Sequence, residues 1–165
     1  MALRRSRRAP VKLDSKLGSL HLIELETGDD VLRLFGEMSN DPNAKRDGFC
    51  HLFGTLLEWW KDGGKLYVAS CEETDAMIQR RVDTTIFSNG GGYPWTLPAF
   101  IAAEGAGRPI KLLWVHTNLR RRGIGRAMVK LSPFALPKTN HIMPGARRFW
   151  ARLGTTERAR PQLER

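Results

Sequence analysis

Ile110-Lys111-Leu112-Leu113-Trp114-Val115-His116-Thr117-Asn118-Leu119-Arg120-Arg121-Arg122-Gly123-Ile124-Gly125-Arg126-Ala127-Met128-Val129-Lys130-Leu131 is the stretch that decides how this chain reads. Ile110 to Val115 is apolar and β-prone, and predicts a strand. Ile124, Ala127, Met128 and Leu131 recur at i, i+3, i+4 and i+7. That spacing predicts a helix with one apolar face, stopped by Ser132-Pro133. Three arginines and Gly123 lie between strand and helix, and Gly125 falls in the first turn of the helix. The first N–H groups of a helix have no intrahelical partner, and the helix dipole places partial positive charge there. Gly123 and Gly125 let a ligand come close to the backbone, while Arg120, Arg121 and Arg122 add charge-assisted donors. The segment is therefore built to hold an anion.

Upstream, Leu20 to Leu25 predicts a first strand. Thr27-Gly28-Asp29-Asp30 resembles a capping box and opens a helix whose apolar face is Val31, Leu34, Phe35 and Met38. Asn40-Asp41-Pro42-Asn43 closes it. Phe53, Leu56, Leu57 and Trp60 predict a second helix ending at Gly63-Gly64, with Trp60 in the core and Trp59 at its rim. Lys65 to Cys71 predicts a strand, and Asp75 to Phe87 another with charged residues on its solvent face. Ser88-Asn89-Gly90-Gly91-Gly92 reads as a loop, and Phe100 to Ala103 as a short strand. Downstream, Ala146, Phe149, Trp150 and Leu153 predict a last helix, ended by Gly154. This order predicts one mixed domain of α+β type over residues 16–156. A basic tail (1–15) precedes it and a charged tail (157–165) follows.

Composition narrows the classes. No apolar run approaches the roughly 20 residues of a membrane-spanning helix, and Met1 to Lys12 lack the apolar stretch of a secretory signal. A cytoplasmic protein with no membrane partner is expected. Cys50 and Cys71 are too few for a disulfide scaffold and lack the neighbours of a zinc site, so no metal is expected. A net charge of +10 and a pI near 10.3 predict attraction to something anionic: nucleic acid, a membrane surface or a phosphorylated cofactor. No P-loop pattern is present, and Met128 stands where a dinucleotide fingerprint needs its third glycine or alanine.

The segment instead resembles motif A of the GNAT superfamily of N-acetyltransferases, Arg/Gln-x-x-Gly-x-Gly/Ala. Arg120, Gly123 and Gly125 fill its three fixed places. Leu113-Trp114-Val115 stands where the family's central strand offers its backbone to the pantetheine arm. Ala146-Arg147-Arg148-Phe149-Trp150-Ala151-Arg152-Leu153-Gly154 is similar to the family's Ala-x-x-Phe-Tyr-x-x-x-Gly helix. The resemblance covers about Ile110 to Gly154. It implies a GNAT-like, mostly antiparallel central sheet with flanking helices, acetyl-CoA as cosubstrate, and acyl transfer to an amine of a small molecule or protein. By resemblance, the backbone of residues 120–125, with Arg126, binds the pyrophosphate. The main chain of Leu113, Trp114 and Val115 meets the pantetheine, with the Val115 N–H polarising the thioester carbonyl. Asn140 and His141, in the loop before the last helix, are candidates to touch the cofactor or the acceptor, with Asn140 also reading as a turn residue.

The chain departs from the family at several places. Trp150 stands where the family commonly has a tyrosine that protonates the departing thiolate, and neither Tyr67 nor Tyr93 belongs to that helix. Thr117 replaces a common proline, Pro133 shortens the motif helix, and the residues after Gly154 are few for the family's final hairpin. Glu104, ahead of the central strand, and His116, just after it, are the candidate general bases. The alternative to an enzyme is a noncatalytic GNAT-fold module that binds CoA or nucleic acid, which Trp150 favours.

Overall fold

Among the described residues five strands lie side by side in chain order, each antiparallel to the next. They are β1 (Val11–Lys12), β2 (Ser19–Glu24), β3 (Lys65–Ser70), β4 (Ala99–Ala103) and β5 (Ile110–Val115). The helices are α1 (Gly28–Asn40), α2 (Pro42–Arg46), α3 (Phe53–Lys61), α4 (Ile124–Leu131) and α5 (Arg147–Ala151), with a 3₁₀ turn at Thr117–Leu119. The computed structural model describes residues 9–13, 17–40, 42–48, 53–71, 99–137 and 146–154. The strand expected over Asp75 to Phe87 and the glycine loop after it fall outside these residues.

Strand side chains alternate between the two faces of a sheet, and here both faces are covered. Leu20 and Leu22 of β2, Tyr67 and Ala69 of β3, Ala99 and Ile101 of β4, and Ile110 of β5 form one cluster with Ile124, Ala127, Met128 and Leu131 of α4 and Trp150 of α5. Ile23, Leu66, Val68, Phe100, Ala102 and Trp114 point the other way, against Val31, Leu34 and Phe35 of α1 and Ala44 of α2. This explains why all five residues of β4 are buried. Full burial of a large apolar side chain is worth about 1.5–3 kcal/mol, so each layer anchors the sheet strongly.

Local chemistry accounts for the element boundaries. Thr27 Oγ1 accepts the Asp30 N–H at 3.2 Å and starts α1 as a helix cap. The hydroxyl donates to the Asp30 carboxylate at 2.7 Å, so Asp30 turns to the Thr27 side chain and not to its backbone. Trp60 donates from Nε1 to the Leu25 carbonyl at 3.4 Å and is half-buried, as is Trp59. The strand Val11–Lys12 lies inside the segment that reads as a tail in the sequence, pairing Val11 with Leu20 and Lys12 with Ser19.

After α4 the chain returns to the beginning of β5. Ala135 bridges Pro109 in parallel, the Ile110 N–H donates to the Ala135 carbonyl at 2.9 Å, and the Ala135 N–H donates to the Arg108 carbonyl at 2.9 Å. Strand, helix and parallel return make a crossover of the β-α-β kind. Among the described residues this parallel contact is confined to the first end of β5. No helix among them is long and apolar enough to cross a membrane.

Candidate anion-binding site at the start of α4

β5 carries the chain to Val115, the 3₁₀ turn reverses it, and Arg120 to Gly123 lead into α4. Gly123 is exposed and caps the helix in the left-handed region, at φ 85°, with no side-chain hydrogen bond to the first turn. A side chain at that φ is strained, which is the physical reason for glycine here. Arg121 is also left-handed, at φ 63°, and exposed. The first intrahelical bond runs from the Ala127 N–H to the Gly123 carbonyl at 2.9 Å. The N–H groups of Ile124, Gly125 and Arg126 therefore have no partner inside the helix. Arg126 is exposed in the same turn. The Ile124 side chain is buried and fixes the turn to the core.

Gly125 has a second reason to be glycine. A Cβ there would meet the Phe149 ring at 3.3 Å and Val115 Cγ2 at 3.6 Å. The close approach read from the sequence as room for a ligand is, on this side of the helix, filled by α5. Leu13, next to β1, lies 3.8 Å from a Cβ at Gly123, so the first strand also reaches the turn.

Arg120 is engaged within the protein at two of its guanidinium nitrogens. Its Nε donates to the Val115 carbonyl at 2.9 Å, and its Nη2 pairs with Asp47 Oδ2. Its main-chain N–H donates to the Thr117 carbonyl at 3.3 Å. Asp47 explains this. It sits just after α2 with a side chain only 20% exposed, and a carboxylate so placed draws in a cation. The Trp114 indole N–H donates to the same Oδ2 at 2.9 Å. Burial alone would raise the Asp47 carboxyl, but the Trp114 hydrogen bond and the Arg120 guanidinium together hold it below its ordinary 3.8. Arg46 adds a hydrogen bond to Thr117 Oγ1 at 3.2 Å.

The remaining candidates separate. Leu113 and Val115 are half-buried against the α4 cluster, whereas Trp114 faces α1 and α2. His116 is buried edge-on to the Trp114 indole, with ring centres 5.8 Å apart. Glu104 lies exposed in the β4–β5 turn, 3.2 Å from Lys111 Nζ. That is the opposite end of β5 from Val115, about 17 Å away for a strand of this length. The structure thus parts Glu104 from the α4 turn. Trp150 is buried in the core. The Tyr67 hydroxyl donates to Glu24 at 3.2 Å, and burial, with the Glu24 carboxylate, pushes it up to about 12. Asn140 lies outside the described residues. Arg122 is half-buried. Among the described residues no cluster of His, Cys, Asp and Glu has the makings of a metal site.

The sequence offers no sign of Asp47's part, because its partners lie 67 and 73 residues away. Alone, Asp47-Gly48 reads as an ordinary turn. No protein-family model, curated protein or solved structure matches the chain.

Proposed function

We propose that the chain is an acetyl-CoA-dependent N-acyltransferase of the GNAT type, acting on an amine of a small molecule or protein. The observation that carries this reading is the start of α4: an uncapped helix end, at the far end of β5, behind an exposed arginine. The resemblance of Arg120-x-x-Gly123-x-Gly125 to the family motif gives that anion site its cofactor. Among the described residues the parallel return at Ala135 is confined to the first end of β5, which suits a sheet that opens towards Val115.

In this reading the N–H groups of Ile124, Gly125 and Arg126 hold the diphosphate, and the Arg121 guanidinium neutralises part of its charge. Acetyl-CoA supplies the acyl group as an activated thioester when bound. The main chain of Leu113 to Val115 orients the pantetheine arm, and an oriented N–H there favours the developing charge on the carbonyl oxygen. Among the described residues Trp150 stands in the tyrosine's place, Tyr67 is tied to Glu24, Glu104 lies at the opposite end of β5 and His116 is buried, so in this reading proton transfer among them runs through water. Slow turnover follows, since a positioned acid or base contributes about 10²–10⁴-fold.

The test is titration with CoA at moderate, fixed salt. Saturable binding that Gly123→Glu abolishes, with the melting temperature of the variant still cooperative, supports the site. Release of free thiol from acetyl-CoA across a panel of amines then reports transfer.

A second reading, a noncatalytic module for nucleic acid, is favoured by one feature. Between Glu104 and Glu157 the chain has no Asp or Glu and eleven Lys and Arg. Of these, Arg126, Lys130, Arg147, Arg148 and Arg152 are exposed on or beside α4 and α5. Oligonucleotide binding that weakens steeply with salt, in a chain without CoA affinity, would select it.

A further inference from the structure

We infer that Asp47 is a positioning residue for the anion-binding turn and acts through Arg120. This rests on the cofactor reading above. The arrangement joins three elements by one guanidinium: the end of α2 through Asp47, the end of β5 through the Val115 carbonyl, and the first residue of the Arg-Gly turn itself. Arg46, the last residue of α2, grips the 3₁₀ turn at a second point, Thr117 Oγ1. The Trp114 indole fixes the carboxylate from the core side.

The turn needs such a hold. Arg121 and Gly123 both take left-handed backbone, at φ 63° and 85°. A non-glycine residue in that region stays there only where its surroundings fix it. One end of the turn is fixed by the buried Ile124 of α4. Arg120, bound at two acceptors and at its own N–H, fixes the other. The ion pair also neutralises Arg120 within the protein, so the charge offered to an anion comes from Arg121 and Arg126, both exposed. The guanidinium offers Nε–H and Nη2–H in a fixed fork, one to each acceptor, whereas a lysine head is a point charge without that fork.

The experiment is CoA titration of the full chain as wild type, Asp47→Asn, Asp47→Glu, Arg120→Gln, Arg120→Lys and the Asp47→Asn/Arg120→Gln double variant. All are measured well below their melting temperatures. Asp47→Asn, Arg120→Gln and Arg120→Lys should each weaken binding about five- to tenfold. The double variant should be no weaker than either single one, and Asp47→Glu should recover part of the loss. Such non-additivity in affinity is something a merely stabilising contact would not produce. Wild-type affinity in Asp47→Asn, or losses that multiply in the double variant, would overturn the inference. Should Asp47→Asn fail to fold, Arg120→Lys decides, since wild-type affinity there excludes a role for the fork. A wild-type chain that takes up no CoA removes the cofactor reading and this inference with it, whereas an unaffected Asp47→Asn removes this inference alone.

Discussion

The starts of α1 and α4 pose the same physical problem and answer it differently. Each helix presents N–H groups without intrahelical partners and the positive end of its dipole. At α1 the chain supplies the answer itself: Thr27 Oγ1 accepts the Asp30 N–H, and Asp29 and Asp30 put negative charge in the first turn. At α4 the cap is Gly123, no side chain bonds to the turn, and its first turn holds no acidic residue. Arginines precede it where α1 has a threonine. What the first helix closes internally, the fourth leaves to solvent or to an anion from outside. The contrast extends to the layers behind them, because α1 and α3 carry carboxylates and α4 and α5 carry none.

If α4 is held by packing and α1 partly by its cap, the two should fail to different substitutions. Trp150→Ala empties a buried indole from the cluster that grips α4, and should cost about 3–5 kcal/mol in denaturant unfolding. A loss under 1 kcal/mol would show that α5 is not part of that hold. Gly125→Val forces a side chain against Phe149, and an expected loss of about 1–3 kcal/mol should appear as a lowered melting temperature. CoA affinity should fall with it, since the helix start moves. Thr27→Ala removes one cap and should cost about 1 kcal/mol, with CoA affinity unchanged.

The smallest effect concerns the bridge between the layers. Asp47 is held below its ordinary value in the folded chain, so its contribution is present above the unfolded value and is lost as pH falls through the depressed one. Asp47→Asn should therefore be less stable than wild type at pH 7 by about 1 kcal/mol or less, as Arg120 is half exposed and screened by solvent. The two proteins should converge in acid, below the ordinary carboxylate range. Thermal melts of both proteins across that range check the sign.

Much of the architecture near the site was legible because periodicity reports burial directly. Ile124, Ala127, Met128 and Leu131 are the buried face of α4. Ile110 to Val115 is the strand read from its β-prone residues. β1 escaped notice because two residues carry no period, and only pairing with Ser19 and Leu20 makes them a strand. Among site residues, Gly123 stood out in the sequence for its missing side chain, and its left-handed φ of 85° came only with the fold. Glu104 ahead of β5 and His116 just after it were placed by the sequence, and the exposure of the one and the burial of the other came only with packing.

The sequence by itself determined where helix and strand meet and that their junction concentrates positive charge, because backbone propensity and formal charge are local properties. Only the tertiary structure decided which charges face outward. Arg120 was paired with a carboxylate that follows α2, Gly125 was claimed by the Phe149 ring, and Glu104 was carried to the end of β5 opposite the α4 turn. Those outcomes depend on distances between residues far apart in the chain, which packing alone sets.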